Sequence, residues 1–213
     1  MHFLSTDQNY IDKVKDALDR SRLRLVNIPV DLGYAAEPDI ERRKAGFNIL
    51  RKWFEIAKYL GSPSVRVNTG KGEGEEALQI AIDGYRELAE MAKETGVRLL
   101  IENHGGISEK AEDIIRIIEE VGSEYLGTCP DFGNFPPETR YEGLAKLAKY
   151  AAVVHAKTFE FNEKGEDTKI DVKRCVNILR QEGFHGYYSV EFEGQGDQRE
   201  GVRKTIALLK RYL

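Results

Sequence analysis

Apolar residues recur along this chain in two alternating patterns. Seven segments place apolar side chains three and four residues apart, which predicts seven amphipathic helices. The clearest of these stripes runs from Leu78 to Ala92, and the last one consists of Val202, Ile206 and Leu209. Each stripe is wide enough to cover one face of a sheet, so the helices are expected to pack in a layer against strands.

Six short runs rich in β-branched and aromatic residues lie between the predicted helices and predict six strands. They are RLVNIPV (24 to 30), SVRVN (64 to 68), VRLLIEN (97 to 103), YLGTC (125 to 129), AVVHAKTF (152 to 159) and YYSVEF (187 to 192). Strands that alternate with helix-length connections pair in parallel. The 213 residues show no break in composition, so we predict a single α/β domain over residues 1–213.

Four strand ends in the second half of the chain carry side chains of the kind that bind metals. The segments IENHGG, CPDFGNF, VHAKTF and SVEFEG supply Glu102, Asp131, His155 and Glu191, separated by 29, 24 and 36 residues. Each interval accommodates one helix and one parallel strand, as in a (β/α)8 barrel, where the carboxyl ends of the strands meet at one mouth. Any one of these residues alone is more often a cap, an ion-pair partner or a core histidine. Together, three carboxylates and an imidazole suit one divalent ion, such as Mn²⁺, Mg²⁺, Co²⁺ or Zn²⁺.

Side chains alternate between the two faces of a strand, which predicts further members of this site. The alternation pairs Glu102 with His104, Asp131 with Cys129, His155 with Lys157, and Glu191 with Glu193.

Composition excludes several classes of protein. The net charge is −4, and no stretch of Lys and Arg interleaved with aromatics is present, which disfavours nucleic-acid binding. The two cysteines, Cys129 and Cys175, lack CxxC spacing, so neither a disulfide framework nor a zinc knuckle is indicated. The start, MHFLSTDQNY, does not have the pattern of a signal peptide, and no apolar stretch reaches membrane-spanning length. We therefore expect a cytoplasmic protein that is not inserted in a membrane.

The ordered set Glu, Asp, His and Glu on four consecutive strands resembles the xylose-isomerase-like TIM barrels. That family includes sugar phosphate isomerases, ketose 3-epimerases, hydroxypyruvate isomerases and inosose dehydratases, and extends to endonuclease IV. By this resemblance, RLVNIPVD corresponds to barrel strand three and SVEFEG to strand eight, so the chain lacks the first two strands of the barrel. The resemblance implies an incomplete TIM-type barrel with six parallel strands and seven helices, and one divalent ion held by Glu102, Asp131, His155 and Glu191.

The same resemblance implies a metal-dependent isomerase or epimerase that acts on a sugar or polyol, phosphorylated or not. Proton abstraction next to a carbonyl would pass through an enediolate, with Glu102 and Glu191 as acid-base groups. Lys157 would stabilise negative charge on oxygen or form an ion pair, and His104 would orient the substrate or support a ligand. Asn68, Asn134 and Glu193 are expected to bind substrate hydroxyls.

The chain departs from the family pattern in two ways. Many relatives carry a second histidine three residues after the strand-six Asp, where this chain has Asn134. The missing first strands would leave two sheet edges open, from which we expect a homodimer or another homo-oligomer. A keto-polyol dehydratase or lyase, a glycoside-cleaving enzyme and an inactive metal-binding scaffold stay open as alternatives. An endonuclease IV-like repair enzyme is disfavoured, because the chain has four histidines in all.

Overall fold

The computed structural model describes residues 3–213, which contain seven α-helices in alternation with six strands. The helices are α1 (Gln8–Ser21), α2 (Ile40–Leu60), α3 (Gly74–Thr95), α4 (Ala111–Val121), α5 (Arg140–Ala148), α6 (Val172–Gln181) and α7 (Gln198–Tyr212). The strands are β1 (Ile28–Val30), β2 (Ser64–Val67), β3 (Arg98–Ile101), β4 (Leu126–Thr128), β5 (Val153–Thr158) and β6 (Tyr187–Phe192). The prediction of an α/β fold with six strands and seven helices is confirmed, and a complete barrel of this type would have eight strands.

The chain divides into two compact units. Unit 1 comprises the residues up to Ile101 together with Arg116–Gly127, and unit 2 comprises Glu102–Ile115 and Thr128–Leu213. Compactness alone does not show whether a unit folds independently, so a single domain over residues 1–213 stays a prediction. All four metal-ligand candidates belong to unit 2.

Unit 1 is built on parallel strands that are buried on both faces. β1 pairs in parallel with β2, and β2 in parallel with β3, in a sheet of order β1-β2-β3-β4. The apolar stripe predicted in α3 is buried as expected. α2 begins where the Asp39 side chain accepts a hydrogen bond from Arg42 N, and it ends at Gly61, whose φ of 78° is readily adopted only by glycine.

Unit 2 is organised around β5 and β6, which pair in parallel over six residues, from Val153 opposite Tyr187 to Thr158 opposite Phe192. The segment 128–131 also pairs in parallel with the chain around β5, through bridges from Thr128 to Ala151, just before β5, and from Asp131 to His155 within it. The core beneath these strands consists of apolar side chains from α5, α6 and α7, including Leu144, Val176, Leu179 and Leu208. This pairing brings the carboxyl ends of three chain segments together.

Two details differ from the sequence-based expectation. β1 begins at Ile28 rather than at residue 24, because the Ser64 hydroxyl donates to Val26 O, so that a side chain takes the place of a ladder partner. The stripe predicted in α7 is confirmed at Leu209, which is buried, but is wrong at Val202 and Ile206, which are exposed.

The buried face of α7 is instead formed by Gly201, Thr205, Leu208 and Leu209. Its position is set by a hydroxyl pair, Thr158 Oγ1 to Thr205 Oγ1 at 2.6 Å, which joins α7 to β5. Within residues 3–213, no helix has both the length and the apolar character required to cross a bilayer.

Candidate metal centre

Glu102, Asp131, His155 and Glu191 converge in unit 2. Each offers one ligand atom, and these atoms all lie within 4.8 Å of one another. We call this group the four-residue cluster. Glu102, Asp131 and His155 are buried, while Glu191 is partly exposed and therefore gives the cluster an accessible side.

Asp131 is held in place by its own backbone as well as by its carboxylate. The Asn103 side chain binds both backbone groups of Asp131: Nδ2 donates to the carbonyl at 3.1 Å, and Oδ1 accepts from the N–H at 2.7 Å. Asp131 Oδ1 accepts hydrogen bonds from the backbone N–H groups of Gly133 and Asn134. Oδ2 is buried and has no hydrogen-bond partner among residues 3–213. One oxygen of Asp131 thus fixes the turn, and the other is left to face the cluster.

His155 lies between two carboxylates. Its Nδ1 is 2.6 Å from Glu102 Oε1 and 3.0 Å from Glu191 Oε1. Burial acts to lower the pKa of His155, but Cys129 and the hydrogen bonds with Glu102 and Glu191 raise it well above its usual range. The charged imidazolium therefore lies against the two carboxylates and compensates part of their negative charge.

Lys157 supplies a second positive charge. Its Nζ donates to Asn134 Oδ1 at 2.8 Å and lies 3.0 Å from Glu193 Oε1, 3.4 Å from Glu191 Oε2 and 3.5 Å from Asp131 Oδ2. Burial acts to lower its pKa, but the surrounding carboxylates raise it well above its usual range, so Lys157 stays charged. It draws Glu191 and Asp131 together.

The cluster sets the pKa values of its carboxylates in opposite directions. Burial raises the pKa of Asp131 to about 7, an effect that Lys157 opposes and Glu102 and Glu191 reinforce. Burial also acts to raise the pKa of Glu191, but His155 and Lys157 outweigh it and hold that pKa at about 2. Buried carboxylates at this separation are costly unless a cation compensates their charge.

The donor set fits a divalent ion. Metal–ligand bonds of about 2.0 to 2.5 Å place the ligands of one ion no more than about 5 Å apart, and the cluster meets that requirement. Carboxylate oxygens with one imidazole suit hard or borderline ions. The Asp131 oxygen that lacks a hydrogen bond is a further sign of a place for a cation.

The other residues predicted from the sequence lie in different surroundings. Asn134 and Glu193 contact Lys157, as described above. His104 is exposed, and its backbone N–H donates to Ser108 Oγ. Asn68 belongs to unit 1, where its Oδ1 accepts from Arg66 Nη1 at 2.7 Å. Their roles in binding or catalysis stay predictions.

Asn103 was not predicted from the sequence. It follows Glu102 directly, so strand alternation places it on the opposite face and removes it from the set of candidate ligands. The available signal was its position inside the segment IENHGG, where an amide at the end of a buried run can replace backbone pairing.

Comparison with known proteins extends over nearly the whole chain. A family model described as xylose isomerase-like TIM barrel matches residues 2–212. The solved structure of a D-tagatose 3-epimerase-like protein has a TM-score of 0.81 and 22% identity, covering 97% of this chain and 83% of that one. The structure of the IOLI protein with a bound zinc atom has a TM-score of 0.79 and 18% identity, covering 95% of this chain and 82% of that one. At these identities the similarity shows the fold.

One curated relative has a shorter match. The C-glycoside deglycosidase alpha subunit of Arthrobacter globiformis is 30% identical over 79 residues, or 37% of this chain. The match spans 21% of that protein's length. The family model, in contrast, spans the elements of both units, and the parallel α/β fold agrees with it. The chain therefore belongs to the xylose isomerase-like TIM barrel family.

Proposed function

We propose that this chain is a metal-dependent isomerase or epimerase that acts on a sugar or polyol by removing a proton from the carbon next to a carbonyl. The observation that carries this proposal is the convergence of two glutamates, Glu102 and Glu191, on the same cluster beside Lys157. This arrangement combines a place for one cation, carboxylates able to accept a proton and a fixed positive charge. The similarity in fold to a D-tagatose 3-epimerase-like protein supports it.

Glu191 is the better placed of the two glutamates to meet a substrate from solvent. Its side chain is 32% exposed, whereas that of Glu102 is 2% exposed. A pKa of about 2 keeps Glu191 ionised at neutral pH, which is the form that accepts a proton, although a carboxylate with so low a pKa is a weaker base than one that titrates near neutrality. Glu102 contacts the same Nδ1 of His155 as Glu191 does and is proposed to act as the second acid-base group.

The proposed reaction begins when a glutamate carboxylate accepts the proton from the carbon next to the carbonyl. The electron pair of the broken C–H bond becomes the carbon–carbon double bond of the enediolate. Return of a proton to the opposite face of the same carbon gives the epimer. Return to the former carbonyl carbon gives the isomer, provided that the proton of the neighbouring hydroxyl moves to the former carbonyl oxygen. Lys157, held by Asn134 and Glu193, stabilises the negative charge that develops on the substrate oxygens.

Glu102, Asp131, His155 and Glu191 are proposed to hold one divalent ion, of the Mn²⁺, Mg²⁺, Co²⁺ or Zn²⁺ type. When bound, this ion polarises the carbonyl and stabilises the negative charge of the enediolate. The zinc atom in the structure of the IOLI protein supports a metal in this fold. Elemental analysis after dialysis tests the assignment: Asp131→Ala/His155→Ala should lose the metal that the unaltered protein retains, and equal metal in both would contradict it.

Incorporation of deuterium from solvent tests the chemistry. The protein is loaded with Mn²⁺ and incubated in D₂O with a panel of ketoses, and deuterium at the carbon next to the carbonyl is measured by NMR. We expect incorporation into at least one ketose. Glu191→Gln should slow it by about 10²- to 10⁴-fold, while metal content is retained because an amide oxygen still coordinates.

Glu182→Gln is the matched control, since Glu182 is an exposed residue at the end of α6. It should retain full exchange. Absence of deuterium from every ketose with metal bound, or unchanged exchange in Glu191→Gln, would contradict the proposal.

A second candidate is cleavage of a bond next to the same carbonyl, in a dehydratase, lyase or deglycosidase. The similarity to a C-glycoside deglycosidase alpha subunit favours it, over 79 residues. Both reactions begin with the same proton transfer but differ in product: epimerisation conserves the carbon skeleton and every hydroxyl, whereas cleavage releases water or an aglycone. Mass spectrometry of the products after incubation separates them.

A further inference from the structure

A cavity of about 410 Å³ lies in unit 2 beside the four-residue cluster. Its walls come from the loop after β5, the loop after β6 and the first turns of α7. The side chains of Phe159, Phe161 and Phe192 form its apolar surface. We call it the aromatic cavity. Cavities of this size are typical of small-molecule sites.

The three phenylalanines are only partly buried: Phe159 and Phe161 pack against the core of unit 2 on one side and keep part of their surface exposed. The rings of Phe161 and Phe192 are stacked, with centroids 6.1 Å apart and an interplanar angle of 19°. Lys169 Nζ lies over the ring of Phe159, 5.1 Å from its centroid, and Lys204 Nζ lies over the ring of Phe161, 6.0 Å from its centroid. Both lysines are exposed, long and flexible side chains that a ligand can displace. Flat rings with charged side chains around them are suited to a ligand that has an apolar face and a polar edge.

The position of Phe192 depends on two glycines. A Cβ at Gly201 would lie 2.1 Å from the Phe192 ring, and a Cβ at Gly194 would lie 1.7 Å from the Phe159 carbonyl oxygen. The loop that carries Phe159 and Phe161 is held by Asp167, a buried residue whose carboxylate accepts four backbone N–H bonds. The aromatic cavity is therefore formed before any ligand arrives.

Glu193 connects the aromatic cavity to the four-residue cluster. It lines the cavity, and its Oε1 lies 3.0 Å from Lys157 Nζ. Lys157 Nζ in turn lies 3.4 Å from Glu191 Oε2. Three consecutive residues thus have three positions: Glu191 belongs to the cluster, Phe192 forms part of the cavity wall, and Glu193 lies at the boundary between the two. A substrate that fills both the four-residue cluster and the aromatic cavity therefore has to extend past only one side chain, that of Glu193.

The charges around the cavity distinguish between possible ligands. Its lining includes the carboxylates of Glu160, Glu193, Asp197 and Glu200 but only two lysines, Lys169 and Lys204. The N-terminus of α7 is already capped, since Asp197 Oδ1 accepts from Glu200 N at 2.9 Å. TIM barrels often bind phosphate at the loops after their last two strands, but here excess negative charge opposes a phosphate. A neutral ring with hydroxyl groups matches both the apolar faces and the charged hydrogen-bonding edge.

We propose that the aromatic cavity binds the second ring of a glycoside, a neutral pyranose whose C–H face lies against the phenylalanines, while the keto sugar occupies the four-residue cluster. This assignment rests on the proposed function and narrows its substrate class to keto sugars that carry a glycosyl group and no phosphate.

Calorimetric titration of the Mn²⁺-loaded full chain with matched ketoses tests the assignment. The probes are D-fructose, D-fructose 6-phosphate and three ketose disaccharides, namely lactulose, maltulose and isomaltulose. At least one disaccharide should bind about tenfold or more tightly than D-fructose, and D-fructose 6-phosphate should gain nothing. Phe161→Ala should lower the ratio of disaccharide affinity to fructose affinity about tenfold, since an aromatic contact contributes roughly that much.

Tyr187→Ala is the matched control, because Tyr187 is an exposed aromatic residue of β6 that does not line the cavity. It should leave the ratio unchanged. If Phe161→Ala does not fold, Phe161→Leu retains the apolar volume without the flat ring and should lower the same ratio.

Calorimetry tests the aromatic cavity and deuterium exchange tests the proposed reaction, so the failure of one can be distinguished from the failure of the other. If no disaccharide binds more tightly than D-fructose, or if the Phe161 variants leave the ratio unchanged, the assignment of the aromatic cavity is overturned, even where deuterium exchange supports the proposed reaction. A disaccharide preference that Phe161→Ala removes supports the cavity, even where no ketose exchanges deuterium and the proposed reaction is contradicted.

Discussion

Metal binding by the four-residue cluster should weaken steeply as the pH falls, because protons compete for two of its members. The pKa of Asp131 is raised to about 7, and that of His155 lies well above its usual range. Both residues must lose a proton before they coordinate an ion. A raised pKa means that the proton is held up to a higher pH, so affinity for the ion increases as the pH rises through 7. Glu191, with a pKa of about 2, contributes nothing to this competition at neutral pH.

The magnitude follows from counting protons. Between pH 8 and pH 6, protonation of Asp131 should weaken metal binding about tenfold, and a His155 that is protonated throughout should add about 100-fold. The dissociation constant for Mn²⁺ should therefore increase by about 10³ over these two pH units. Above pH 8 the dependence should fall to about one proton per ion, from His155 alone.

Isothermal titration calorimetry in buffers with different ionisation enthalpies measures both the affinity and the number of protons released. We expect about two protons released per ion at pH 6 and about one at pH 8. Glu163→Gln, a change at an exposed residue outside the cluster, should leave both numbers unchanged. A dissociation constant that does not vary between pH 6 and pH 8, or binding without proton release, would refute the reasoning.

Three further outcomes are expected. Lys157→Met should tighten Mn²⁺ binding about tenfold and slow turnover by about 10²-fold or more, because it removes a positive charge that competes with the ion and also stabilises the reaction. Calorimetry measures the affinity for Mn²⁺ and deuterium exchange measures turnover, with the exposed Lys164→Met as the control. Weaker metal binding in Lys157→Met would contradict the prediction. Asn103→Ala should lower the free energy of unfolding by about 1 to 3 kcal/mol in urea titrations, because it leaves two buried backbone groups of Asp131 without partners. Asn177→Ala is the control. Equal urea midpoints for Asn103→Ala and the unaltered protein would refute the role of Asn103. Since β6 pairs only with β5 among residues 3–213, the chain should associate through its open strand; light scattering should give at least twice the chain mass of 24.2 kDa, and a stable monomer would show this prediction to be wrong.

The parts of this fold that follow from periodicity could be predicted from the sequence. Helix and strand alternation depends on apolar patterns within each segment, so the order of all thirteen elements follows from the sequence alone. α7 shows where this reasoning fails. Apolarity favoured Val202 and Ile206 as its buried face, but the contact of Thr205 with Thr158 and the space left by Gly201 set the actual rotation of the helix. A small or polar residue that packs closely has no periodic apolar signal.

The candidate site likewise has features that could be predicted from the sequence and features that could not. The convergence of Glu102, Asp131, His155 and Glu191 could be predicted, since strand ends in a parallel α/β fold meet at one edge. The pKa values could not, because they depend on distances of a few ångströms between charged groups distant in sequence. The aromatic cavity was also missed. Phe159 and Phe161 belong to a loop, and the bonds from Asp167 that fix this loop follow no sequence period.

The two units are interleaved along the chain, and this has a consequence for the order in which the protein assembles during synthesis. The chain enters unit 2 at Glu102, returns to unit 1 for Arg116–Gly127, and enters unit 2 again at Thr128. Domains generally fold as units and in order of synthesis. Unit 2 is not synthesised as one continuous segment: Glu102 leaves the ribosome first, then a segment of unit 1, and Glu191 only much later. A fragment that begins at Thr128 would hold three of the four cluster residues but neither Glu102 nor the Asn103 amide that fixes Asp131. The four-residue cluster is thus among the last features to form, and neither contiguous piece of unit 2 can form it alone.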